Sequence, residues 1–128
     1  MGLGQTAPQS AYRYQDPHLE VDFVRKLAAL DAHRLILTRK EYDLLALLVG
    51  NAGEIVPRQA LLMNIWGYSQ EIRTRTLDVH IRRLRKKLGP YSEQYIETIF
   101  GIGYRFQPFR TNQRFAAPTG VAPLALGA

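Results

Sequence analysis

RTRTLDVHIRRLRKKL, the stretch from Arg73 to Leu88, sorts its side chains by helical period. At about 100° per residue, Leu77, Ile81, Leu84 and Leu88 fall within about 60° of one another. Arg75, Thr76, Val79, Arg82, Arg83 and Lys86 take the opposite side, within about 120°. A helix divided in this way seats its aliphatic stripe on a core and leaves its basic side open. Gly89-Pro90 follows directly and supplies the stop.

Seven of the 17 Lys and Arg residues lie on this helix (Arg73, Arg75, Arg82, Arg83, Arg85, Lys86 and Lys87), and Asp78 is its only acid. A merely solvated helix interleaves Glu with Lys at i,i+4 to offset like-charge repulsion, and that interleaving is missing. The pattern therefore points to a polyanion. Arginine outnumbers lysine here, and the planar guanidinium bonds two acceptors of a phosphate or a guanine at once. A helix of this length spans about 24 Å and fits a DNA major groove about 12 Å wide. Position on the wheel places Val79 and Arg83, with Thr76 near the N-terminal end, over base edges, and Arg75, Arg82 and Lys86 on phosphates. His80, flanked by apolar positions, reads as a surface spacer, a phosphate contact or a core-edge residue.

Upstream, Leu19–Asp22, Lys26–Leu30 and His33–Leu37 are candidate strands, with Asp31-Ala32 as a tight turn. A helix over Phe23–Leu30 would also satisfy the apolar spacing. Thr38-Arg39-Lys40-Glu41 is a capping box opening a helix, whose apolar set is Tyr42, Leu45, Leu48 and Val49. Asn51 and Gly53 are expected to supply left-handed residues at its end. Ile55-Val56 suits a bridging strand, and Pro57 the first position of a second helix running to Trp66, stopped by Gly67. The connection Gly67–Ile72 is a loop longer than a minimal helix-turn-helix turn. Downstream, Tyr95–Phe100 and Tyr104–Gln107 are β-branched and aromatic segments joined by Gly101-Ile102-Gly103, which predicts a hairpin. That Gly-x-Gly opens no helix and lacks a third glycine, so it is not a dinucleotide fingerprint.

The chain has 128 residues and a net charge of +6, enough for one small domain with tails. Residues 1–18 read as a flexible leader or interdomain linker, 19–109 as the folded domain and 110–128 as a disordered tail. Cysteine is absent, which removes disulfides, thiolate metal sites and cysteine nucleophiles and fits the cytoplasm. His18, His33 and His80 are far apart in sequence, so no metal site is expected, nor any cofactor. No nucleophile–base constellation or phosphate loop can be drawn, and the chain reads as no enzyme. No apolar run approaches the roughly 18 residues of a spanning helix, so no membrane role is expected. Met1–Thr6 matches the loose N-myristoylation pattern, which a flexible leader explains as well.

Leu37-Thr38-x-x-Glu41-Tyr42-x-Leu44-Leu45, Val56-Pro57-Arg58-x-x-Leu61-Leu62, Ile65-Trp66-Gly67, the block Thr76–Leu88 and Gly101-Ile102-Gly103-Tyr104-Arg105-Phe106 stand in this order. Together they resemble the effector domain of OmpR/PhoB-family response regulators, bacterial transcription factors of two-component systems. The resemblance implies an α+β winged helix-turn-helix: an N-terminal antiparallel sheet of four strands, a three-helix core and a C-terminal hairpin wing. It implies that Trp66, Arg75, His80, Arg82, Arg85 and Tyr104 touch the DNA backbone, that Thr76, Val79 and Arg83 approach bases, and that Thr98 lies near DNA in the wing. It further implies contact with RNA polymerase through residues 67–72, a free monomer, and tandem binding on DNA. Such regulators begin with a receiver domain of about 120 residues, and the leader here is too short to form one. A separated effector domain and a standalone regulator both fit. Phe100 departs from the pattern, standing where relatives commonly carry an arginine that enters the minor groove. A wedge against sugars and packing under the hairpin are both open to it, and a weaker preference for A·T flanks is expected. The alternative function is a winged helix that binds RNA or an acidic protein partner.

Overall fold

The computed structural model describes residues 12–67 and 74–109. It begins with a four-stranded antiparallel sheet of β1 (Arg13–Gln15), β2 (Leu19–Asp22), β3 (Leu27–Leu30) and β4 (His33–Arg34), paired in that order. The expected strands are present, and the turn at Phe23–Lys26 excludes the helical alternative. Lys26 (φ 61°), Asp31 (φ 50°) and Ala32 (φ 70°) take left-handed conformations at the two hairpin turns, the geometry that matches the twist of flanking strands. β4 stops at Arg34, short of the expected Leu37.

β1 lies within the span read as a leader. Its one apolar residue, Tyr14, is buried and stands edge-on to Phe106 at 5.4 Å. The surrounding composition hides a strand whose partners are distant in sequence. Asp16, which follows β1, gathers donors from three parts of the chain. Its Oδ1 accepts the amides of His18 (2.8 Å) and Leu19 (2.8 Å) and the Tyr95 hydroxyl (2.7 Å). Its Oδ2 accepts the Tyr14 hydroxyl and the amide of Phe109 (3.2 Å). Burial, then this bond to Asp16, pushes the Tyr95 hydroxyl far above its ordinary pKa.

Helix α1 (Arg39–Gly50) opens on the expected capping box: the Glu41 amide donates to Thr38 Oγ1 (3.2 Å) and the Thr38 amide to Glu41 Oε1 (3.0 Å). Tyr42, Leu44, Leu45, Leu48 and Val49 are buried. Asn51 ends the helix at φ −114°, not left-handed as expected, because its own amide and side chain reach back to Leu48 and Leu47. Gly53 carries the left-handed turn at φ 86°. Strand β5 (Ile55–Pro57) takes in Pro57, which caps helix α2 (Arg58–Trp66) instead of occupying its first turn. Gly67 stops α2 at φ 83°.

Helix α3 (Thr74–Leu88) runs through the centre of the fold, with Leu77, Ile81, Leu84 and Leu88 fully buried against α1 and α2. A short 3-10 turn (Gly89–Tyr91) and the four-residue α4 (Ser92–Tyr95) carry the chain to the hairpin, so Tyr95 is helical and not the first strand residue. Strands β6 (Ile96–Ile99) and β7 (Gly103–Phe106) form that hairpin, and β5 adds to its far side in the order β5-β7-β6. Gly103 is required there: a Cβ at this position would lie 2.1 Å from the Val56 carbonyl oxygen. Among the described residues no helix is long and apolar enough to cross a membrane.

Candidate nucleic-acid interface

The sides of α3 are allotted by what packs on them. Its aliphatic stripe is inside. On one flank, Asp78 and Arg85 stand seven positions apart and reach the hairpin. The Tyr104 hydroxyl donates to Asp78 Oδ1 (2.9 Å), and the Arg58 guanidinium, from the first residue of α2, bonds the same oxygen (2.8 Å). The lone acid of the helix is thereby neutralised by Arg58, whose hold on its proton is strengthened by that carboxylate. Arg85 donates to the Ile96 carbonyl (2.8 Å) and to Thr98 Oγ1 (2.7 Å), and its guanidinium lies 5.7 Å from the centre of the Tyr104 ring.

The opposite flank is equally occupied. His80 donates from Nδ1 to the Thr76 carbonyl (2.8 Å) and meets Trp66 edge-on at 5.0 Å. Lys87 turns away from the basic side to pair with the buried Glu41 (2.6 Å). Burial alone would raise the Glu41 pKa, but the Lys87 ammonium and the Thr38 amide hold it below its ordinary value. Lys40 lies over the Trp66 ring at 5.8 Å and donates to the Ile65 carbonyl (2.8 Å) at the end of α2.

Between these flanks the outer side of α3 is open. Arg75, Arg82, Arg83 and Lys86 are exposed, with Thr76 and Val79 half-buried among them. Six of the expected DNA-facing residues thus share one surface, and no strand of the described protein covers it. Five others are placed differently. Tyr104 is buried, with burial first and then Asp78 raising its hydroxyl pKa. Arg85 and Thr98 are bonded to each other, and Trp66 and His80 are half-buried against one another. Arg58, which sequence reasoning passed over, ties α2, α3 and the wing together. Asp78, alone among basic neighbours, was the signal that a cation from elsewhere would come to it. Phe100 does not pack under the hairpin but is 89% exposed at its tip, beside the half-exposed Ile102. Arg73 and residues 68–72 lie outside the described residues.

Comparison with known proteins agrees with this geometry. Residues 32–106 match the family described as transcriptional regulatory protein, C terminal. The transcriptional regulatory protein HprR of Escherichia coli is 46% identical over 89 residues, 69% of this chain and 40% of its own length. The response regulator ArlR of Staphylococcus epidermidis is 45% identical over 76 residues, 59% of this chain and 35% of its own. The chain therefore spans well under half the length of these curated relatives. Among solved structures, the response regulator DrrB, a Thermotoga maritima OmpR/PhoB homologue, superposes with a TM-score of 0.68 at 32% identity, covering 75% of this chain and 44% of that one. The Klebsiella pneumoniae RstA DNA-binding domain, solved in complex with the RstA box, gives 0.66 at 34% identity, covering 76% of this chain and 98% of that one. The chain belongs to the transcriptional regulatory protein C-terminal family, the winged helix-turn-helix domain of OmpR/PhoB-type regulators, a family of regulators and not of enzymes.

Proposed function

We propose that this domain binds double-stranded DNA sequence-specifically, as the output step of a two-component phosphorelay in the cytoplasm. The carrying observation is the open basic side of α3, lined by Arg75, Arg82, Arg83 and Lys86 and bounded on both flanks by the domain's own contacts. Set into the major groove, α3 puts Val79 and Arg83, with Thr76, over base edges, while Arg75, Arg82 and Lys86 meet phosphates. Trp66 and His80, on the α2 side, border the backbone on one flank. Arg85, Tyr104 and Thr98 act through the wing, bracing it against α3. The RstA domain, solved in complex with the RstA box, supports DNA as the partner by likeness.

Selection of bound duplexes from a random pool tests the reading. The expected product is a pair of direct half-sites about one DNA turn apart, with Arg83→Ala losing preference at one base position. A protein that binds single-stranded RNA as tightly as duplex DNA would overturn it. Five or six phosphate contacts give a log–log salt slope of about −5. We also propose that the free domain is monomeric and pairs head-to-tail on DNA, and that residues 67–72 contact RNA polymerase. Sedimentation with and without a two-site duplex checks the first, and crosslinking from position 70 to polymerase on a promoter checks the second.

A further inference from the structure

The wing tip carries an apolar surface that the basic side of α3 does not account for. From Ile99 to Tyr104 the chain reads Ile-Phe-Gly-Ile-Gly-Tyr, with no charged residue. Phe100 is 89% exposed and Ile102 50%. The tip is nevertheless held at both its ends by backbone hydrogen bonds. The Ile102 amide donates to the Ile99 carbonyl (2.9 Å), Gly101 takes the left-handed turn at φ 78°, and the Ile102 carbonyl accepts the Arg58 amide (3.0 Å). Three bonds tie the wing to α3: Arg85 to the Ile96 carbonyl and to Thr98, and Tyr104 to Asp78. Thr98 and Tyr104 face each other across the hairpin, so the two ties nearest the tip grip a single rung. Phe100 lies two residues beyond it, a reach of about 7 Å past the flank of α3.

We infer that Phe100 and Ile102 form an apolar wedge that presses on the sugar edges of the minor groove adjoining the α3 site. This deepens the DNA-binding reading and rests on it. With α3 in the major groove, the element fixed to its flank extends over the bordering phosphates to the next groove, about 6 Å wide, which admits an aromatic edge. A charged tip would select narrow A-tract flanks, whereas an apolar wedge selects steps that open easily. Flank choice then follows pyrimidine–purine deformability, and the contact releases no counterion.

The test uses the full chain and duplexes it selects from a random pool, rebuilt with TA steps, with an A-tract, or with no base pairs at the wing-side flank. Phe100→Ser and Ile102→Ser change exposed tip positions, and circular dichroism confirms their folding. Phe100→Ser is expected to weaken binding to TA-flanked duplexes by about tenfold and to the flankless duplex less than twofold, with the salt slope unchanged. Ile102→Ser shows the same pattern at smaller size. Phe100→Arg is expected to turn the preference toward the A-tract and steepen the slope by about one. Equal binding of wild type and Phe100→Ser on every flank, while Arg83→Ala still weakens all of them, overturns the wedge and leaves the α3 assignment intact. Loss of duplex selectivity altogether overturns the DNA reading itself.

Discussion

Arg82 and Arg85 stand less than one helical turn apart, yet one guanidinium is exposed and the other ends on the wing. Their replacement is therefore expected to act through different quantities. Arg82→Ala should flatten the salt dependence of DNA binding by about one phosphate and leave stability unchanged. Arg85→Ala removes two hydrogen bonds from the hairpin and should cost about 1–2 kcal/mol in urea unfolding. Equal stability of the two variants would refute this division of roles. Gly103 is a harder constraint, because its missing side chain is the space occupied by the Val56 carbonyl. Gly103→Ala must push β5 from β7 and is expected to lower stability by about 3 kcal/mol, read in the same melts.

At the scale of elements, α1 and α3 are joined end to end by one carboxylate. Glu41 closes the cap of α1 and pairs with Lys87 near the end of α3. Its folded pKa is depressed, so its contribution is complete above the unfolded-state value and fades as pH falls through the folded one. Glu41→Gln should cost about 1–2 kcal/mol at pH 7, and its stability curve should converge on that of the wild type toward pH 3. Parallel curves would place the acid sensitivity elsewhere. The cap itself was legible in Thr38-Arg39-Lys40-Glu41 because both partners lie within one turn. So was the division of α3, since period alone separates Leu77, Ile81, Leu84 and Leu88 from Arg75, Arg82 and Arg83. The bonds of Arg85 were not legible: a wheel places it at the edge of the basic side but carries no information about the strand that comes to lie there. Arg58 escaped for the same reason, its partner being 20 positions away. Strand β1 escaped because a single tyrosine in a polar, proline-containing stretch has no period to read.

The whole molecule is closed by Asp16. One carboxylate accepts donors from residues 14, 18, 19, 95 and 109, joining the first strand to the entry of the hairpin and to the segment beyond it. Asp16→Ala strands the buried Tyr95 hydroxyl as well as freeing the ends. It should therefore lower stability by about 3 kcal/mol in thermal melts, with Asp16→Asn recovering part of it. An unchanged melting curve for Asp16→Ala would reduce this cluster to surface decoration. The contact between Asp16 and Phe109 also has a topological meaning. The end of β1 and the segment beyond the hairpin are neighbours, so a glycine bridge from residue 109 that runs back along β1, about 13 Å, to residue 12 would close the described backbone into a ring. Reopened at the Phe23–Lys26 turn, such a permutant would keep every strand pairing, and the ring so cut would graft into a surface loop of a host protein.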